Sequence, residues 1–161
     1  MKIRAREIKG ESGHEAGRVL LEEMYREMTG RPMPQILFTQ RGKPYFANAS
    51  VHFSISHTKR HVFCALSEKP IGIDAEESDR QIDLRLADKI LSERERGYYD
   101  AATDKRLTLL RFWVLKEAAA KCSGEGLRGY PRGTEFSPMD PRVRVMEDCL
   151  VAVIEEDKDV I

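Results

Sequence analysis

The chain predicts an α+β fold, and three observations carry that expectation. A capped helical stretch comes first, a run of short alternating segments follows it, and a long uninterrupted helix with a closing strand pair comes last. Such a run of neighbouring strands between helices does not fit the strict strand–helix alternation of a parallel sheet. Over 161 residues, 41% hydrophobic and 34% charged content describes a globular protein of one medium domain or two small halves sharing a core.

Residues 2–9 alternate loosely and predict a strand. Ser12 and Glu15 make a capping box for a helix running to Thr29, with Leu21, Met24, Tyr25 and Met28 as its apolar stripe. Gly30 and Pro32 stop it. Residues 35–40 predict a strand, Arg41-Gly42-Lys43-Pro44 a turn, and Tyr45-Phe46 the returning strand. In 51–56, Val51, Phe53 and Ile55 fall on one face and His52, Ser54 and Ser56 on the other. Residues 61–67 form a more fully apolar strand, and 71–76 a further one after the turn at Pro70. Their closeness in sequence predicts an antiparallel meander.

Residues 82–100 read as a helix followed by a short helical segment near 92–99. From 101 to 123 there is neither Pro nor Gly, and Gly124 and Gly126 close the long helix. Residues 124–141 predict loop with at most one strand; 142–146 and 149–154 predict two strands before an acidic tail at 155–159. The strands and helices divide near residue 65, into 1–65 and 66–161.

Charge narrows the function. Lys plus Arg equals Asp plus Glu at 27 each, so no net field draws in nucleic acid or an anionic membrane. Cys64, Cys122 and Cys149 are odd in number and lie in apolar or helical segments, which predicts reduced core thiols and a cytoplasmic location. No run reaches signal-peptide or membrane-spanning length.

On the long helix, Leu107, Leu110, Val114 and Ala118 mark the buried side. At about 100° per residue, Glu117 and Lys121 fall within roughly 40° of Leu110. Charges on a buried side must meet each other, a metal or a ligand. In Ile71-Gly72-Ile73-Asp74-Ala75-Glu76, strand alternation sets Asp74 and Glu76 on one face beyond a glycine, where something must approach the backbone. Two such acids and an inward Glu117 make an all-oxygen set suited to Mg²⁺, although a solvated strand face and an internal Glu117–Lys121 pair explain the same residues. The hydroxyls of Ser54, Ser56 and Thr58 with His57 suit phosphate or ribose better than nucleophilic catalysis, because adjacent strand residues face opposite ways. Arg41, Lys43 and Arg18 add cations for a phosphate-rich ligand, or are simply solvated. No P-loop sequence occurs.

Taken in order, Gly42-Lys43-Pro44, FSISHT at 53–58, IGIDAEE at 71–77 and FWVLKEAAAKCSGEGL at 112–127 resemble the 4'-phosphopantetheinyl transferase superfamily, in its surfactin-synthetase-activating branch. The resemblance implies two similar α+β halves packed as a pseudo-dimer in a monomeric chain, with coenzyme A and Mg²⁺ in the cleft between them. It implies transfer of 4'-phosphopantetheine from coenzyme A to a serine of an apo acyl, polyketide or peptidyl carrier protein. Asp74, Glu76 and Glu117 would hold Mg²⁺, with Glu117 and Lys121 catalytic. Arg18, Arg41, Gly42, Lys43, Ser56, His57 and Lys121 would hold coenzyme A. The chain departs from the family pattern in having Ser54 for the usual Asn, Thr58 for a frequent Ser, and a shorter first half. A Mg²⁺-dependent pyrophosphate hydrolase and a non-catalytic carrier-binding module are the competing readings.

Overall fold

A computed structural model describes residues 1–48, 50–127 and 133–157. Its first part is built from β1 (Lys2–Glu7), α1 (Gly13–Thr29), β2 (Ile36–Phe38), β3 (Pro44–Phe46), β4 (His52–His57) and β5 (His61–Ser67). The Ser12–Glu15 capping box opens α1 as expected, and Gly30 closes it at φ 69°. β5 is the centre of a three-stranded antiparallel sheet in the order β1-β5-β4. The strand expected at 35–40 shortens to β2, which among the described residues pairs only with β3, as a separate ribbon.

The second part comprises β6 (Ile71–Glu77), a 3-10 turn at Leu84–Leu86, α2 (Ala87–Ile90), α3 (Glu93–Ala101), α4 (Lys105–Ser123), β7 (Val143–Met146) and β8 (Cys149–Glu155). The helix expected from 101 starts later, because Asp104 caps α4 and Ala101 still belongs to α3. β7 and β8 form a hairpin through Glu147 and Asp148, both at positive φ, as a two-residue turn of the primed type requires. Of 124–141, residues 128–132 lie outside the described residues, and the described remainder holds no strand. Within the acidic tail, Glu155 ends β8 and 158–161 lie outside the description.

One expectation fails. β6 does not continue a meander from β5; it pairs with β8 in a second sheet of order β6-β8-β7. Both edges of β5 are already taken, by β1 and β4, so β6 has no edge of β5 left to join. It packs face to face instead. Alternation along β5 sends Val62, Cys64 and Leu66 toward Leu20, Leu21 and Met24 of α1. Phe63 and Ala65 on its other face meet Ile71, Ile73, Ala75 and Val151 of the second sheet. Buried on both faces, β5 is apolar throughout, and it runs on through position 65 to Ser67. Behind the second sheet, Leu110, Val114 and Ala118 of α4 close a third core with Leu150 and Ala152.

Candidate functional site

The site starts from a missing side chain. A Cβ on Gly72 would lie 2.5 Å from the amide nitrogen of Cys122 and closer still to the carbonyl oxygen of Ala118. Only glycine lets the backbone of α4 settle directly on β6. The same contact sets the register of strand against helix: Asp74 stands two residues beyond Gly72, opposite the turn of α4 that carries Glu117 and Lys121. Lys121 Nζ donates to Asp74 Oδ1 at 2.8 Å and to the carbonyl of Ile73 at 3.1 Å. Sequence spacing turned Glu117 and Lys121 inward, and both are partly buried beside Asp74 and Glu76 in one open cavity of about 420 Å³.

Charge in this cavity is unbalanced. Burial pushes the Asp74 carboxyl up despite its pair with Lys121, so desolvation outweighs the ion pair. Burial and then Asp74 push Glu76 up, although Arg80 pairs with it and Trp113 Nε1 donates to its Oε1 at 3.2 Å. Glu117 is pushed up to about 7, by burial first and then by Asp74. Among the described residues, Asp74 Oδ2 is buried and without a hydrogen-bond partner.

These features fit a divalent cation: an orphaned carboxylate oxygen, three acids whose carboxyls burial pushes up, and oxygen ligands of the type Mg²⁺ prefers. The acids are not gathered at ligating distance, since no three metal-binding side chains cluster among the described residues. Glu76 is held by Arg80 and Trp113, so completing such a set requires its carboxylate to turn.

Other expected residues are distributed around this centre. Ser56 is buried; its hydroxyl accepts from the amide of Ala75 at 3.1 Å and donates to Asp74 Oδ1 at 3.3 Å. Ser54 accepts from the amide of Ile73 at 3.0 Å. These hydroxyls therefore serve the contact between β4 and β6, because the polar face of β4 is covered by β6 rather than by solvent. His57 is exposed at the end of β4, its ring seated on Gly13 at the start of α1.

Arg41, Gly42 and Lys43 line a second cavity of about 390 Å³ that also takes in Glu117 and Lys121, so the basic turn of the first part reaches the acids of the second. Lys43 Nζ donates to the carbonyl of Cys122, within the last turn of α4, where a cation also meets the helix dipole. Burial lowers its pKa. Arg18 is exposed on α1, next to Gly17, which packs against Ile55.

Sequence reasoning missed Arg80 and Trp113, which hold Glu76, and the buried pair of Lys116 with Glu95 at 2.8 Å. Glu95 also accepts from the amides of Ser92 and Phe136, while Lys116 donates to the carbonyl of Thr134, tying α3, α4 and the 134–136 segment together. Ser92-x-x-Glu95 is a legible capping box, but nothing local announces that its glutamate meets a lysine 21 positions away.

Residues 70–148 match the family model of the 4'-phosphopantetheinyl transferase superfamily, and across that span the chain belongs to it. Among curated proteins, the chain is 36% identical over 118 residues to 4'-phosphopantetheinyl transferase psf-1 of Bacillus pumilus, covering 69% of this chain and 49% of the relative. It is 31% identical over 115 residues to 4'-phosphopantetheinyl transferase gsp of Aneurinibacillus migulanus, covering 69% and 48%. With 4'-phosphopantetheinyl transferase HetI of Nostoc sp. (strain PCC 7120) it shares 32% identity over 122 residues, covering 70% and 52%. The chain thus spans about half the length of the curated relatives it matches.

Proposed function

We propose that this chain transfers the 4'-phosphopantetheine group of coenzyme A to a serine hydroxyl of an apo carrier protein, releasing adenosine 3',5'-bisphosphate. One observation carries the proposal: Asp74, Glu76, Glu117 and Lys121 share a cavity whose neighbour joins the same helix to the cationic turn Arg41–Lys43. Acids for a metal beside cations for phosphates are what a pyrophosphate-bearing substrate needs. The names of the relatives point the same way.

In this reading Asp74, Glu76 and Glu117 hold Mg²⁺, which when bound supplies positive charge against the pyrophosphate. The serine oxygen forms a bond to the β-phosphorus of coenzyme A as the bond to the leaving bisphosphate breaks. Lys121, whose side chain is 33% exposed, balances charge on the departing group. Glu117 accepts the serine proton directly or through a water it holds. Arg18, Arg41, Gly42, Lys43 and His57 form the proposed nucleotide side; for Lys43 this stands beside the structural contact already described, while the buried hydroxyl of Ser56, engaged with Ala75 and Asp74, is left out of it.

The proposal includes two similar halves, each a helix on a three-stranded antiparallel sheet, joined as a monomer. Support comes from the parallel construction of α1 on β1-β5-β4 and α4 on β6-β8-β7. The turn at 68–70 is the natural seam, because β5 continues to Ser67. A cytoplasmic location belongs to the same reading, supported by three free buried thiols. The structure itself offers no helix, among the described residues, long and apolar enough to cross a membrane.

Mass spectrometry of several apo carrier proteins, after incubation with coenzyme A and Mg²⁺, tests the activity. The expected result is a phosphopantetheine mass gain on the serine. Consumption of coenzyme A without carrier, and no gain with it, would replace transfer by hydrolysis.

A further inference from the structure

The outer edge of β6 is unusual in how its backbone is satisfied. On one side β6 is laddered to β8; on the other it lies alongside β4 without a backbone ladder among the described residues. The buried amides of Ile73 and Ala75 still need acceptors. Ser54 Oγ takes the first at 3.0 Å and Ser56 Oγ the second at 3.1 Å. Two serines on one face of β4 thus do the same work for neighbouring amides.

Ser56 does one thing more. Its hydroxyl proton goes to Asp74 Oδ1 at 3.3 Å, the oxygen that Lys121 also meets at 2.8 Å. Among the described residues, two donors converge on Oδ1 and none on Oδ2, which stays buried and without a partner. A hydroxyl has a single proton to donate, so one aimed at Asp74 is not available to a ligand phosphate. We infer that Ser56 is a positioning residue, which fixes the Asp74 carboxylate with Oδ1 turned into the protein and Oδ2 left for the cation, rather than a contact to coenzyme A. This rests on the Mg²⁺ set proposed above.

Ser54 provides the matched control, since Ser54→Ala and Ser56→Ala each strip an acceptor from one buried β6 amide, but only the second releases Asp74. The Mg²⁺ midpoint is read from the rise in melting temperature with added Mg²⁺, without coenzyme A; coenzyme A binding is read separately by calorimetry. Both variants should melt earlier than the wild type. Ser56→Ala should raise the Mg²⁺ midpoint by about tenfold or more, the scale on which partners behind a ligand act, while Ser54→Ala stays within about twofold. If Ser56→Ala does not fold, Ser56→Cys keeps the volume with a weak donor and should shift the midpoint the same way. Equal midpoints for the two variants overturn the inference. So does an unmoved midpoint with weakened coenzyme A binding, which would make the hydroxyl a ligand contact. A wild-type protein that gives no response to Mg²⁺ removes the metal set itself, and the role of Ser56 with it. A responding wild type with equal variants removes the role of Ser56 alone.

Discussion

Replacing Glu117 by Gln should make the metal-free protein more stable at alkaline pH while abolishing transfer. Glu117 has its carboxyl pushed from 4.5 to about 7 by burial and by Asp74. Between those values the folded chain keeps a proton that the unfolded chain has released, so wild-type stability falls as pH rises through that window. Holding the ionised form at pH 8 costs roughly 3 kcal/mol at face value, and solvent reaching a half-buried carboxylate reduces this to about 1–2 kcal/mol. Glutamine has the same shape and no charge, and it also lifts the repulsion on Asp74 and Glu76. For a chain of this size the gain at pH 8 corresponds to a melting temperature about 2–8 °C higher, vanishing below about pH 4.5. Melting curves from pH 5 to 8.5, without metal and with Mg²⁺, measure it; Mg²⁺ should raise the wild type more than the variant. A variant less stable than the wild type at pH 8, or a difference that does not change with pH, refutes the electrostatic account.

Gly72→Ala drives a methyl into the backbone of α4 at Ala118 and Cys122, which cannot retreat like a side chain; overpacking of this kind costs about 1–3 kcal/mol or more, and transfer should fall on the order of a hundredfold as Asp74 moves off Lys121. Gly97→Ala, in α3 with open space around it, should instead leave the melting temperature unchanged or slightly higher, and the two melts together isolate the close approach. Lys116→Met strands the buried carboxylate of Glu95 and should cost about 3–5 kcal/mol, whereas Lys116→Met with Glu95→Gln should recover part of it; denaturant unfolding measures both.

Much of the local structure was legible because it is written in neighbours. The Ser12–Glu15 box, the Gly30 stop and the helical period around Leu110 and Val114 act over one or two turns, and the structure follows them. The inward turn of Glu117 and Lys121 was equally readable, since helical geometry fixes a direction as soon as the buried stripe is known. Gly72 was read correctly as a place of close approach, but what approaches is the backbone of α4, 46 residues away at Ala118. The fate of β6 and the work of Ser54 and Ser56 were not readable. Alternation gives two faces to a strand without saying what covers each, and an edge is free or taken only once every other strand has paired. β1 claimed the edge of β5 that a meander would have used. The polar face of β4 then met β6 instead of solvent, turning two serines into acceptors for buried amides. Sequence alone determined which residues carry charge and which way each helix or strand turns them. Tertiary packing decided which of those charges meet, because desolvation and pairing depend on neighbours distant in the chain.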